Sequence, residues 1–172
     1  LGVKKIGFAG NLKYYGERKN EKIQKKDLKN KFKNFKIWCA ASTHDGEEIF
    51  ISKLHKKIKK QESKLLTIII PRHINRTKQI IREINEKKLR VVKHSSNKKL
   101  KKNTDIYLVD TYGEATKFYN LSSITFVGGS IIRHGGQNPL EPARLGNYII
   151  NGPNVSNFNE IYDFLSKNKI SN

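Results

Sequence analysis

Residues 126–146 read FVGGSIIRHGGQNPLEPARLG, and this stretch indicates how the chain folds. It begins as the end of a buried strand at Phe126 and Val127, passes through a loop with four glycines, and reaches a predicted helix start at Asn138-Pro139. Asn is a good helix cap, and Pro is tolerated at the first helical position because its missing N–H costs nothing there. Such a strand, glycine loop and capped helix is where open α/β sheets bind nucleotides. The glycine spacing matches neither G-x-G-x-x-G nor a P-loop, so a plain flexible connection is the alternative.

Short apolar runs alternate with helical patterns along the rest of the chain. The runs predicted as strands are 3–11, 36–42, 64–71, 89–94, 105–111, 124–129 and 147–152. The segments predicted as helices are 12–35, 45–60, 74–88, 113–120, a helix from 139, and 157–167. Uniformly apolar, β-branched runs are expected for parallel strands that are buried on both faces. The alternation predicts one three-layer α/β domain over residues 1–172 with a mainly parallel sheet.

Two helices allow more detailed expectations. Ser42 with Asp45 resembles a capping pattern for the helix over 45–60. In the helix over 74–88, residues Ile74, Ile81 and Ile84 are expected to face the core.

The composition is strongly basic, with 35 Lys and Arg against 15 Asp and Glu and a net charge of +20. Such a surface attracts phosphates, nucleic acids and anionic membranes. The single cysteine, Cys39, excludes an internal disulfide and lies in an apolar run, which indicates a core thiol. No apolar stretch approaches the roughly 20 residues of a membrane span. The chain opens at Leu1 on a strand-like run, so we expect it to be a piece of a longer protein.

Polar residues follow several predicted strands, and ligands of parallel sheets bind beyond those strand ends. Arg72 offers a forked donor for a phosphate, the helix start at Gly113-Glu114 offers backbone N–H groups, and the Glu141 carboxylate can accept from two ribose hydroxyls. Each residue alone is explained as readily by solvation or by the helix dipole, and only their convergence predicts a nucleotide site. The five histidines show no spacing typical of metal ligands, so no metal site is predicted.

The motifs taken in order resemble those of a known family. The matching segments are 9-AGNLK-13, 39-CAASTHDGEE-48, 70-IPRH-73, 107-YLVDTYGE-114, 126–146 and 152-GPNVSNFNEIY-162. Over nearly its whole length, the chain is similar to the C-terminal half of the 3-deoxy-D-manno-octulosonic acid (Kdo) transferases. The run GGQNPLEPA is the most specific piece.

The resemblance implies the C-terminal half of a GT-B glycosyltransferase, which has two Rossmann-like domains and an active site between them. Such enzymes transfer Kdo from CMP-Kdo to a lipid A precursor in lipopolysaccharide biosynthesis, at the cytoplasmic face of the bacterial inner membrane. By the same resemblance, cytidine monophosphate (CMP) is expected to contact Pro71, Arg72, Tyr112, Gly113, Glu114, Asn138, Pro139, Leu140 and Glu141. Two residues depart from the family pattern, because Tyr112 replaces a common Met and Gln137 a common His.

The resemblance also implies which functions lie elsewhere. The general base, the acceptor site and the membrane anchor are expected in an N-terminal domain, so no catalytic residue is assigned and this chain alone is expected to be inactive. No metal or cofactor is expected. The partners are CMP-Kdo, the lipid A precursor and an anionic membrane surface, without a specific nucleic acid. The alternatives are a GT-B enzyme that uses a UDP-sugar and a basic nucleic-acid-binding α/β module, although no helix-turn-helix or zinc finger is present in the sequence.

Overall fold

A computed structural model describes residues 25–172, so the predicted strand at 3–11 and the start of the 12–35 segment lie outside the described part. The helices are α1 Lys25–Phe32, α2 Glu47–Lys59, α3 Thr77–Glu86, α4 Ala115–Tyr119, α5 Leu140–Arg144 and α6 Asn159–Lys167, with 3-10 turns at Ile74–Arg76, His94–Ser96 and Ser156–Phe158. The strands are β1 Lys36–Thr43, β2 Leu65–Pro71, β3 Val91–Lys93, β4 Ile106–Leu108, β5 Ile124–Val127 and β6 Tyr148–Ile150. They form one sheet in the order β3-β4-β2-β1-β5-β6.

All neighbouring strands of this sheet run parallel, which confirms the predicted mainly parallel α/β fold. β1 and β2 are the two central strands, and every residue of β2 is buried. The helical crossovers between parallel strands cover both faces of the sheet. A central strand therefore has no face exposed to solvent, and its sequence is apolar throughout.

Two layers of helices enclose the sheet. On one face, α2 and α3 pack against side chains that include Trp38, Ala40 and Ile69. On the other face, α1 and α4 pack against Cys39 and Ile68. The helices α5 and α6 cover β5 and β6 on that same second face. The three-layer prediction is therefore confirmed, and Cys39 is fully buried with its thiol pKa raised by desolvation, as expected of a core thiol.

Three local predictions are wrong or inexact. α2 begins at Glu47 after Gly46, whose positive φ of 86° turns the chain, and no side chain caps it; Ser42 and Asp45 therefore do not form a cap. In α3 the fully buried pair is Ile80 and Ile84. Ile81, which was also predicted to face the core, packs at the margin of the core. Ile74, the third predicted residue, lies half-buried in the preceding 3-10 turn. Several strands are also shorter than their apolar runs, because the sheet pairs only part of each run.

The helix predicted from the Asn-Pro pair is present but begins one residue later, at Leu140, with Pro139 at its N-cap. The backbone N–H of Leu140 donates to Asn138 Oδ1 at 3.0 Å, so Asn138 still binds an N–H at the start of the helix. Among residues 25–172, no helix has the length and apolar character needed to cross a membrane.

Candidate nucleotide site

The loops that follow β4, β2, β1 and β5 share one edge of the sheet, because these four strands are neighbours and parallel. From β1 the chain first builds the sheet on the β2 side and later crosses to β5 on the other side of β1. This reversal creates a crevice at the carboxyl ends of β1 and β5, which is where open α/β sheets hold their ligands.

Two of the predicted nucleotide-binding segments adjoin helix starts that are in contact. Thr116 in α4, two residues beyond the segment 112–114, donates its hydroxyl to Glu141 Oε1 in α5 at 2.5 Å. The third segment, Pro71-Arg72, follows β2, which lies between β4 and β1 in the sheet, and the Arg72 backbone N–H donates to the Thr43 carbonyl at 3.0 Å.

The nine predicted residues fall into two groups by exposure. Exposed residues with reach for a ligand are Arg72, Tyr112, Gly113, Asn138 and Glu141, and Glu114 is half-buried. Buried residues that fix the backbone beneath them are Pro71, Pro139 and Leu140. Among the large hydrophobic side chains of residues 25–172, the most exposed is Tyr112, at 69%, which lies where the family pattern has Met. Gly113 has a φ of +77°, a left-handed conformation that favours glycine.

Glu114 is held by a lysine and a histidine. Its Oε2 lies 2.8 Å from Lys117 Nζ and 3.7 Å from His94 Nε2. The His94 ring is fixed in turn by a hydrogen bond between its Nδ1 and the Tyr107 hydroxyl at 2.9 Å. Burial lowers the pKa of His94, and the Glu114 charge opposes that shift. Glu114 therefore has a fixed orientation before any ligand arrives.

The Thr111 hydroxyl is a polar group at this site that lacks a partner. It is shielded from solvent, and no atom of residues 25–172 accepts from it or donates to it. Buried hydroxyls in proteins are nearly always hydrogen-bonded, so an orphaned one beside a binding segment is a candidate ligand contact. The sequence placed Thr111 at the end of a strand without giving it this role.

The glycine loop after β5 is not open to a ligand as the sequence suggested. The fully buried carboxylate of Glu47 accepts backbone N–H bonds from Gly129 at 2.8 Å, Ser130 at 3.1 Å and Ile131 at 3.0 Å, and from His44 at 2.9 Å. The loop's amides are therefore satisfied inside the protein. The sequence analysis treated Glu47 only as a residue of a helix N-terminus. The two consecutive glutamates after Gly46 were the available sign that one of them could have a structural role.

Gly128 shows the same close packing. A Cβ on Gly128 would lie 2.3 Å from the Ser42 carbonyl oxygen, so only glycine fits there. Ser42 itself has a φ of +54°, at a register shift between Ala41 and Thr43 that bends the end of β1. The glycine and the bend together bring the loops after β1 and β5 into contact.

Glu48 is a second buried acid at the start of α2. It accepts from the Thr43 hydroxyl at 2.9 Å and from Arg76 Nη1 at 3.0 Å. Arg76 also reaches Asp45 at 2.7 Å. Burial raises the pKa of Glu48, and the bond from Arg76 opposes that shift. Asp45, Glu48 and Glu83 have oxygens within 4.8 Å of one another, and the guanidinium of Arg76 supplies the cation for this group.

Three histidines from three different loops meet in the crevice. The His44 ring centroid lies 4.1 Å from that of His134 and 5.8 Å from that of His73. His44 is only 7% exposed, whereas His73 and His134 are exposed. Gln137, at the position where the family pattern has His, contacts His44 Nε2 through its side-chain amide at 3.1 Å. Burial is the main cause that lowers the pKa of His44, and the neighbouring His134 adds to it.

No model of a known protein family matches the chain. Curated relatives do. A 3-deoxy-D-manno-octulosonic acid transferase of Haemophilus influenzae is 37% identical over 163 residues, which cover 94% of this chain and 38% of that enzyme. The enzyme of the same name from Rickettsia bellii is 35% identical over 94% of this chain and 38% of its own length. A bifunctional glycosyltransferase/methyltransferase of Fusobacterium nucleatum is 35% identical over 96% of this chain and 26% of its own length. The chain thus spans less than two fifths of these relatives.

A solved structure matches over most of both chains. The C-terminal CMP-Kdo binding domain of WaaA from Acinetobacter baumannii superimposes with a TM-score of 0.79 at 32% identity, covering 84% of this chain and 77% of that one. The fold is therefore the Rossmann-like fold of the C-terminal half of a GT-B glycosyltransferase. Sequence and structure together show that the protein belongs to the 3-deoxy-D-manno-octulosonic acid transferase family and corresponds to the C-terminal domain of those enzymes.

Proposed function

We propose that this chain is the donor-binding domain of a Kdo transferase and that it binds CMP-Kdo through its CMP moiety. The observation that carries this proposal is the contact between the two helix starts. The hydroxyl of Thr116 donates to Glu141 Oε1 at 2.5 Å, which supports one site between the segment 112–114, just before α4, and the segment 138–141 at the start of α5. The relatives named Kdo transferase and the solved CMP-Kdo binding domain support the same assignment.

Each exposed residue of this site has a chemical role. Arg72 binds the phosphate through its forked guanidinium, and the backbone at Gly113 donates to the same group. Glu141 accepts from the ribose hydroxyls. Asn138 holds the first turn of α5 in place, which fixes the position of Glu141 three residues later. Tyr112 offers an exposed aromatic ring at the rim of the nucleotide site.

Further residues complete the donor site. Pro71, Pro139 and Leu140 shape its floor from buried positions. Glu114, which Lys117 and His94 hold in place, contributes a fixed carboxylate to the polar wall.

The proposed reaction is direct displacement at the anomeric carbon of Kdo. A bond forms between the acceptor oxygen and that carbon, the bond to the CMP phosphate oxygen breaks, and the acceptor's proton passes to a general base. Arg72 and the Gly113 amide stabilise the negative charge that develops on the departing phosphate. The base and the acceptor site belong to a part of the enzyme outside this chain, so this domain alone binds the donor without turning it over.

The acceptor and the location follow from the same assignment. We assign a lipid A precursor as acceptor, lipopolysaccharide core biosynthesis as the process, and the cytoplasmic face of the inner membrane as the site of action. The net charge of +20 supports this proposal, because a basic surface is attracted to anionic lipids and to an anionic acceptor. We assign no specific nucleic acid as a partner.

Calorimetric titration of the chain with CMP, UMP and a short DNA duplex, at low and at moderate salt, tests the proposal. We expect a preference for CMP that persists when salt is added, because shaped contacts to the nucleotide are screened less than surface charges. A preference for UMP would favour a UDP-sugar enzyme. Binding of DNA alone, with an affinity that collapses as salt rises, would contradict the donor-site assignment and favour a nucleic-acid-binding module.

A further inference from the structure

We propose that His44, His73 and His134 form a second anion subsite beside the nucleotide site, and that this subsite receives the carboxylate of the sugar acid. The inference rests on the proposed function, because it names the part of the donor that the CMP contacts leave unbound. The three histidines follow β1, β2 and β5, which are neighbours in the sheet.

The histidine subsite is built and partly enclosed. His44 is its buried centre, and the rings of His134 and His73 lie 4.1 and 5.8 Å from it, centroid to centroid. Gly129, whose φ of +68° favours glycine, lies against the His44 ring. The side-chain amide of Gln137 contacts Nε2 of the His44 ring at 3.1 Å. The two outer rings are exposed and can reach a bound molecule.

The charges around His44 favour an anion as ligand. Burial is the largest cause that lowers the pKa of His44; the charges of His134, His73 and Arg72 lower it further, and the charge of Glu47 opposes them. The Glu47 carboxylate already accepts four backbone N–H bonds, including the one from His44 itself, so it is turned toward the protein interior. A ligand in the crevice therefore faces several donors that carry or can acquire positive charge.

A metal ion fits this cluster poorly. A metal requires ligand atoms that converge on one point at short range. Among the described residues, the group whose candidate ligand atoms all lie within 4.8 Å of one another is Asp45, Glu48 and Glu83, and it contains no histidine. The His44 and His134 rings lie in tilted contact, 4.1 Å apart from centroid to centroid, and the exposed rings of His73 and His134 are the parts of the cluster that can reach a carboxylate.

The chemistry of the donor connects the two subsites. In an activated 2-ulosonic acid, the anomeric carbon carries both the phosphate ester and the carboxyl group, so the two anions are attached to one atom. Arg72, the proposed phosphate ligand, and His73 are consecutive residues after β2. A carboxylate on the carbon next to the phosphate therefore falls beside the histidine cluster. The same contact orients the anomeric carbon for attack.

The test compares the affinities of the chain for CMP and for CMP-Kdo, measured by calorimetry on the wild type, on His73→Gln and on the His73→Gln/His134→Gln double variant. Both histidines are exposed, so the folded state is expected to tolerate these changes, and circular dichroism checks this. We expect the advantage of CMP-Kdo over CMP to fall roughly tenfold in the double variant, as for loss of charge-assisted hydrogen bonds. Lys53→Gln on the exposed face of α2 is the matched control, with no expected change.

The outcomes separate the two proposals. If CMP binds but the ratio of affinities is the same in the wild type and in the folded double variant, the histidine subsite is wrong and the donor site stands. If the variants lower the affinity for CMP itself by the same factor as that for CMP-Kdo, the histidines bind the phosphate and the assignment of the sugar carboxylate is wrong. If the wild type binds neither nucleotide, the proposed function and this inference both fail.

Discussion

The carboxylate of Glu47, at the start of α2, accepts the backbone N–H of Gly129 at 2.8 Å, across 82 positions of sequence. It also binds the next two amides of the same loop, so one side chain fixes the glycine loop to the helix that follows β1. The loop leads on to Gln137 and to the first turn of α5. Glu47 thereby controls the position of the site without facing the ligand.

Glu47→Gln is expected to destabilise the domain by about 3 kcal/mol. A neutral amide keeps one acceptor oxygen but turns an NH2 group toward backbone donors, and each buried donor left without a partner costs about 1–3 kcal/mol. Urea denaturation monitored by circular dichroism measures the loss. Glu86→Gln at the exposed end of α3 is the control and should change stability by less than about 0.5 kcal/mol. Equal midpoints for the two variants would contradict the role of Glu47.

Much of the fold was predictable because the signals are local. The uniformly apolar run of β2 indicates a strand buried on both faces, and the alternation of strands and helices indicates a parallel sheet. The helix start near Asn138-Pro139 was predictable because capping depends on neighbours in sequence. The same local rules failed at Ser42, which has a positive φ at a register shift of β1 and does not cap α2.

The contacts inside the site were not predictable because they are non-local. The bonds from Glu47 span more than 80 positions, and the sequence offers no periodic pattern for such a pair. The histidine cluster likewise depends on the strand order, which places the loops after β2, β1 and β5 side by side. Spacing along the chain gave no reason to group His44 with His134, which are 90 positions apart by their numbers.

Glu141→Ala is expected to weaken CMP binding by roughly 1.5–3 kcal/mol, the value of hydrogen bonds to a charged group. Isothermal calorimetry on the folded variant measures the change. Glu160→Ala is the matched control, because Glu160 is likewise an exposed acid in the first turn of a helix, here α6. A CMP affinity that is unchanged in Glu141→Ala, or reduced equally in both variants, would remove Glu141 from the site.

Thr111→Val is expected to leave stability unchanged or slightly higher and to reduce CMP affinity by about threefold to tenfold. The change removes a hydroxyl that has no partner among the described residues, so folding loses no hydrogen bond, whereas the ligand loses one. Thermal melts and calorimetry give the two readouts. Thr104→Val is the control, because its buried hydroxyl accepts from the Lys101 backbone at 3.1 Å and its loss should lower stability without changing CMP affinity. If Thr111→Val lowered the stability and left the CMP affinity unchanged, the Thr111 hydroxyl would have a structural role and no role in binding.

Because His55 is buried, we expect the domain to lose stability in mild acid. The ring is fully buried, its Nδ1 is bonded to the Thr67 hydroxyl at 2.8 Å, and its Nε2 lies 3.5 Å from Asp105. Burial lowers the pKa of His55 in the folded state below the ordinary 6.5, although the Asp105 charge opposes the shift. Between those two pKa values the unfolded chain binds more protons than the folded one, so the free energy of unfolding falls as pH falls, by up to about 1.4 kcal/mol per pH unit.

Urea denaturation between about pH 8 and about pH 5 measures this dependence on pH, within the range where an ordinary histidine titrates. Stability should be full above about pH 7 and decline below about pH 6.5. His55→Asn should reduce the slope and lower stability at pH 8, because the bond to Thr67 is disturbed. Part of the slope should remain, since burial also lowers the pKa of His44 and His94. Lys53→Gln, at an exposed position, is the control, and a slope that is the same in all three proteins would show that His55 does not carry the effect.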